Sequence, residues 1–157
     1  MSLDVPQSRS VIGATLKVGI VAACYNEALV DALLARVRAG LLAAKVKAAN
    51  LTTVRVPGSH EIPWAAAELS RQRGCDLVIA LGVLIGGDTN HHEMVGQSVS
   101  AALQQVSLSS RVPVINGVIV ANTRAQARAR CAGRINRGAE FAQAGLEMAA
   151  LKRKLNS

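Results

Sequence analysis

Four short apolar, β-branched runs mark the chain, at residues 17–23, 52–56, 77–83 and 113–120, and each is followed by a longer segment with helical spacing. This alternation predicts the order βαβαβαβα, and so an α/β fold with a parallel sheet covered by helices on both faces. The first helix is expected near Asn26 or Glu27, with Asn26 able to cap it, Leu29, Leu33, Val37 and Leu41 on its buried stripe, and an end near Lys47. The break Pro57-Gly58-Ser59 closes the second strand, and a helix from about Glu61 to Arg73 follows, before Gly74. A third helix is expected from Asp88 or Thr89 through Val99, Leu103 and Val106. Asn122 or Thr123 can cap a short helix that ends near Gly133, and a last helix spans about 136–155. Residues 1–15 read as an N-terminal arm whose Val11 and Ile12 need a surface to pack on, expected to be a neighbouring subunit; residues 16–157 form the domain proper.

A chain of 157 residues, half of them apolar, is one domain with one substantial core. The formal charge of +8 suits an anionic substrate or nucleic acid equally and decides nothing alone. Trp64, Tyr25 and Phe141 are the only aromatic residues, which leaves little with which to stack on bases, so no nucleic-acid partner is expected. Cys24, Cys75 and Cys131 are odd in number and lack C-x-x-C spacing, which argues against a disulfide scaffold or a zinc module. Cys24 and Cys131 read as small packing residues. Neither a signal peptide nor an uninterrupted apolar span is evident, so the expectation is a cytoplasmic protein with no membrane partner.

In open parallel sheets, ligands bind beyond the carboxyl ends of the strands. Here those ends are residues 24–26, 58–61, 84–91 and 116–122. The third carries the densest chemistry: paired glycines, an acid, a hydroxyl and two histidines at an expected helix start. Free backbone N–H groups at such a junction can hold an anion while an imidazole beside them moves protons, which points to a phosphorylated small molecule. His91 is the candidate proton carrier; His92, further round the helix, reads as structural or exposed. The run His91-His92-Glu93 lacks the i, i+4 spacing of a helical metal site, so no metal is expected. Gly86-Gly87 is too short for a Walker loop, and no Gly-x-Gly-x-x-Gly follows the first strand. Tyr25 is placed either to stack on a flat heterocycle or to plug the core. Glu61 is either a favourable first-turn residue or an acceptor for a polyol hydroxyl. The arginines from Arg124 to Arg137 either reach an anion at this rim or form a solvated basic face.

The chain resembles the lumazine synthase family from residue 17 to 155, through four motifs in order. Tyr25-Asn26-Glu27 is similar to the family's aromatic-Asn turn, and Val56-Pro57-Gly58-Ser59-His60-Glu61-Ile62-Pro63 to its V-P-G-[AS]-[FYW]-E-[IL]-P. Gly87-Asp88-Thr89-Asn90-His91 resembles G-x-T-x-H, and Gln126, Ala127 and Arg130 with Asn136-Arg137-Gly138 resemble Q-A-x-x-R-A-G and N-K-G. The resemblance implies a three-layer sandwich around a four-stranded parallel sheet of order 2-1-3-4. It also implies condensation of 5-amino-6-(D-ribitylamino)uracil with 3,4-dihydroxy-2-butanone 4-phosphate, without cofactor. His91 is the implied general acid/base. Tyr25, Asn26, Ser59, His60, Glu61, Leu84, Ile85 and Asn116 are implied at the pyrimidine and ribityl chain, and Gly87, Asp88, Thr89, Arg130 and Arg137 at the phosphate.

The implied assembly is a pentamer whose active sites lie between subunits, so that Asn116, Arg130 and Arg137 serve a neighbour's site. The short 131–138 connection favours a 60-subunit shell, with riboflavin synthase as a further candidate partner. The chain departs from the family pattern at Gly86, where Arg or Lys is frequent, at His60, where an aromatic ring is usual, and at Asn116, where many members have Phe; Arg137 replaces a Lys. The alternative is a ligand-binding or shell-forming paralogue that has lost catalysis. The archaeal-type riboflavin synthase is a more distant reading, which the G-x-T-x-H stretch disfavours.

Overall fold

The apolar runs become four strands in a computed structural model that describes residues 4–157: β1 (Val18–Ala23), β2 (Leu51–Val56), β3 (Leu77–Ile85) and β4 (Val114–Ala121). They pair in parallel in the order β2-β1-β3-β4, as the resemblance implied. The α-helices are α1 (Glu27–Ala43), α2 (Ile62–Ser70), α3 (His91–Ser110), α4 (Arg124–Cys131) and α5 (Arg137–Asn156).

Alternation along the strands divides the core in two. Val18, Ile20 and Ala22 of β1, with Leu77, Ile79, Leu81 and Val83 of β3, face Leu33, Val37 and Leu41 of α1 and Ala142, Leu146 and Ala149 of α5. Val21, Ala23, Val78 and Ala80 face Ile62, Ala66 and Leu69 of α2 and Val95, Val99 and Leu103 of α3. Strands covered on both faces must be apolar at nearly every position, which is why β1 and β3 read as unbroken runs. The edge strands carry Thr52, Thr53, Arg55 and Asn116.

Local geometry corrects several expected boundaries. α1 stops at Ala43 rather than near Lys47, because Lys45 adopts φ 72° and Val46 N–H turns back to Leu41 O at 3.1 Å, a left-handed helix end. Asn26 stands at the N-cap position but does not cap: its backbone is left-handed, and its Nδ2 donates to Val83 O at 2.8 Å, tying the end of β1 to β3. A 3-10 turn, Ser59–Glu61, precedes α2, which is shorter than expected and ends at Ser70. α3 begins at His91 rather than at Asp88 or Thr89, because Asn90 O accepts from the Glu93 and Met94 amides and leaves 86–90 as loop. Thr123, not Asn122, caps α4 through Gln126 N–H, and Asn136 caps α5 through Ala139 N–H.

Residues 1–3 of the expected arm lie outside the described residues. From Asp4 onward the segment touches its own chain. Arg9 N–H donates to Glu147 Oε1 at 2.9 Å, Gln143 Nε2 donates to Arg9 O, and Gly13 N–H donates to Ala44 O at 2.7 Å. The Arg9 N–H and the Gln143 amide hold the Glu147 carboxyl below its ordinary range. Val11 packs on the core, whereas Val5 and Ile12 remain bare at 72% and 79% exposure. At the amino end of the sheet, the buried Asp76 carboxylate accepts from Lys17 N–H and from Arg153 Nε and Nη2, fastening β1 and β3 to α5.

Candidate active site

Because the order is β2-β1-β3-β4, the chain leaves β1 toward the α1 face and leaves β3 toward the α3 face. The loops part there and open a crevice at the carboxyl ends of the strands. A cavity of about 530 Å³ occupies it. Tyr25 and Asn26 form one wall after β1, and Gly58, Ser59, His60 and Glu61 a second after β2. Val83, Leu84 and Ile85 with Gly87 and Thr89 form the floor and lip, and His91, His92 and Val95 close the α3 side. A smaller cavity, about 310 Å³, opens at the opposite ends of β1 and β2; no histidine or carboxylate lines it.

Each wall follows from local sequence. Tyr25 is 73% exposed, so it is not a core plug; its amide donates to Pro57 O, and its ring lies over Gly58. Glu61 Oε2 accepts from Gly58 N–H at 2.9 Å, which holds the turn and leaves the other oxygen for a ligand. Ser59 is buried, and its hydroxyl has no hydrogen-bond partner. Gly82 makes room for it: a Cβ there would stand 2.5 Å from Ser59 Oγ. His60, whose place relative to a pocket is not legible in sequence, lines the cavity.

His91 opens α3, where unpaired helix N–H groups carry partial positive charge. Thr89 Oγ1 accepts from His91 N–H at 3.4 Å. Among the described residues, the N–H groups of Gly87, Asp88 and Thr89 meet no acceptor. The loop thus presents donors to an anion with an imidazole beside them, and the exposed Tyr25 ring lines the same cavity as the end of β3. Within the described residues, no three His, Cys, Asp or Glu side chains converge in a way that could hold a metal ion.

Asp88 is exposed and lies outside this lining. Asn116, Arg130 and Arg137 also stand away from the cavity of their own chain. Asn116 is the third residue of β4, paired with Ala80, and its Oδ1 accepts from Val118 N–H; it lines an open groove against α3. It therefore does not belong to the carboxyl end of β4, which lies at Ala121. Arg130 Nη1 donates to Gln126 O at 2.9 Å, and Arg137 pairs with Glu140. Sequence reasoning missed the cavity positions Val83, Val95 and His92. Val95 follows His91 by four residues, a spacing that signals a shared helix face. His92, read as structural or exposed, is half-buried and lines the cavity.

Cys131 is buried as expected, and burial pushes its thiol up to about 11; burial also raises the Cys75 thiol. Cys24, expected as a packing residue, is instead exposed, because the buried run of β1 ends at Ala23. An aromatic disulfide reagent is expected to label one thiol quickly in the native protein and all three after denaturation. Rapid native labelling of more than one would contradict these burials.

Over residues 15–153 the chain matches the family model for 6,7-dimethyl-8-ribityllumazine synthase. It is 43% identical over 141 residues to the 6,7-dimethyl-8-ribityllumazine synthase of Aquifex aeolicus, covering 89% of this chain and 92% of that protein. Proteins of the same name from Paracidovorax citrulli and Coxiella burnetii are each 38% identical, over 144 and 143 residues. Those alignments cover 92% and 90% of this chain, and 92% and 95% of the relatives.

Proposed function

Because the chain belongs to the 6,7-dimethyl-8-ribityllumazine synthase family, we infer a transferase of riboflavin biosynthesis that condenses 5-amino-6-(D-ribitylamino)uracil with 3,4-dihydroxy-2-butanone 4-phosphate. The single observation that carries this reading onto residues is the strand-end cavity, where Tyr25, Glu61 and His91 line one space beside the open N–H groups of 87–89.

In this reading Tyr25 stacks on the pyrimidine. Asn26, Ser59, His60 and Glu61, with the backbone of Leu84 and Ile85, take its polar edge and ribityl chain. Gly87, Asp88 and Thr89 hold the phosphate through backbone N–H groups and the Thr89 hydroxyl; the Asp88 side chain turns outward. The 5-amino group attacks the ketone and water leaves as an imine forms. Proton loss next to the imine expels phosphate and leaves an enol. The enol tautomerises to a ketone bearing a new methyl group, and the ribitylamino nitrogen attacks that ketone carbon, closing the ring with loss of a second water. Each step moves protons rather than requiring a protein nucleophile, and His91 is the group in the cavity suited to carry them. Fixing two substrates face to face supplies much of the remaining acceleration.

Asn116, Arg130 and Arg137 serve the cavity of a neighbouring subunit in a pentamer, with twelve pentamers closing a shell in the cytoplasm. Their absence from the cavity of their own chain, and the bare Val5 and Ile12 of the arm, support this arrangement. Riboflavin synthase, which consumes the product, is the partner this reading suggests. No helix among the described residues is long and apolar enough to cross a membrane.

Mixing both substrates with purified protein and following lumazine absorbance tests the activity. Product is expected to form well above the spontaneous rate; a rate equal to the protein-free control would instead favour a non-catalytic paralogue. Sedimentation of the native particle tests the shell, and a species no larger than a pentamer would refute it.

A further inference from the structure

Arg55 links two walls of the cavity from behind. It pairs with Ala22 in the parallel register of β1 and β2, and paired residues share a face, so its side chain projects toward α1. On that face β2 offers Leu51, Thr53 and Arg55. Of these only Leu51 is apolar and packs on the core, so near the carboxyl end of β2 the tie to α1 is polar. Arg55 Nη1 donates to Asp31 Oδ1 at 2.8 Å, and Nη2 lies 3.6 Å from Glu27 Oε1. The guanidinium also reaches the Cys24 side chain. One side chain of β2 thus grips the first two turns of α1 and the residue before Tyr25.

Those turns begin at a strained point. Asn26 holds φ 56° and ψ 44°, a left-handed conformation that residues other than glycine adopt rarely and keep only when their surroundings enforce it. Asn26 Nδ2 ties the turn to β3 through Val83 O, and the Cys24 and Tyr25 N–H groups tie its main chain to Pro57 O. Arg55 adds the hold on Glu27 and Asp31, which come directly after the turn. Glu27 already gains from the unpaired N–H groups at the start of α1, so the helix does not need Arg55 in order to form. What the ion pairs add is a link across to β2, whose next residues after Val56 carry the second wall.

We propose that Arg55 is a positioning residue for the pyrimidine: its bridge to Asp31 and Glu27 fixes the Tyr25 wall against the wall of residues 58–61. The proposal rests on the condensing activity inferred above and deepens it. Both of these walls take the pyrimidine and its ribityl chain in that reading. The 87–91 segment that takes the phosphate hangs instead between β3 and α3, and among the described residues Arg55 makes no hydrogen bond or ion pair there. Loosening the bridge therefore weakens the hold on one substrate and spares the other.

Steady-state kinetics on the intact assembly tests this, with each substrate varied in turn. Arg55→Met keeps the stem and removes the guanidinium, while Arg55→Lys keeps a charge that can meet one carboxylate. Both carboxylates are exposed, which limits what the bridge contributes. Arg55→Met is expected to raise KM for the pyrimidine about fivefold, with kcat and KM for the phosphorylated ketone within about twofold, and Arg55→Lys to restore about half of the loss. Asp31→Asn combined with Glu27→Gln is expected to reproduce the rise. Adding Arg55→Met to that pair is expected to raise KM by less than about twofold more, because the same interaction is already gone.

Equal rises in both KM values would mark Arg55 as merely structural and overturn the proposal. So would an unchanged pyrimidine KM in Arg55→Met. Should that variant fail to assemble, the Asp31→Asn and Glu27→Gln pair carries the same comparison. Wild-type protein with no turnover would overturn the condensing activity and this role with it. An active wild type with unaffected variants would overturn only the role of Arg55.

Discussion

Replacing His91 by alanine is expected to lower kcat roughly a hundredfold, the lower end of what general acid/base catalysis supplies, with KM for either substrate changed about threefold or less. The imidazole opens α3 and lines the cavity, so its loss removes the group placed to move protons during imine formation, phosphate loss and ring closure. The effect stays at the lower end because Tyr25, Ser59, Glu61 and the 87–89 loop remain and continue to hold the two reactants together. Little structural damage should follow, since the side chain is exposed. Single-turnover lumazine formation under saturating substrates measures the step directly. A His91→Ala protein with kcat close to wild type would move the proton transfers to water or to His92.

Leu81→Ala is expected to destabilise the protein by about 3 kcal/mol, within the range seen for Leu to Ala changes in cores. Leu81 is fully buried on β3, in the layer shared with α1 and α5, and paired with Gly117 of β4. The helices on that face pack against several strands at once and cannot collapse into the space left by one side chain, so a cavity persists. That loss is a large share of the 5–15 kcal/mol typical of a domain. Denaturant unfolding at fixed chain concentration measures it, because assembly makes apparent stability depend on concentration. A loss under about 1 kcal/mol would mean that β3 is not the central element described.

The two changes separate what a strand contributes from what its loop contributes. β3 carries Leu77, Ile79 and Leu81 into one layer and Val78 and Ala80 into the other, then delivers Leu84 to Thr89 to the crevice. Damage to the buried part lowers the population of folded chain. Damage to the loop and first turn of α3 leaves the fold and changes the chemistry.

The alternating runs alone determined the βαβαβαβα order, the stripe of α1 and the four strand positions, because burial on both faces of a sheet forces a continuous apolar signal that survives in one dimension. The resemblance of Tyr25-Asn26-Glu27, the segment 56–63 and the segment 87–91 determined the family, and those stretches do converge on one cavity. Tertiary structure decided the rest. Asn26 reads as a cap, but a strand carbonyl 57 residues away takes its amide; Cys24 reads as packing, but lies just past the end of the buried run. His92 reads as bystander, yet β4 brings Asn122 to its ring and leaves a nitrogen facing no protein partner. Hydrogen bonds and close approaches between segments far apart in the chain leave no periodic trace in sequence, so only the folded arrangement reveals them.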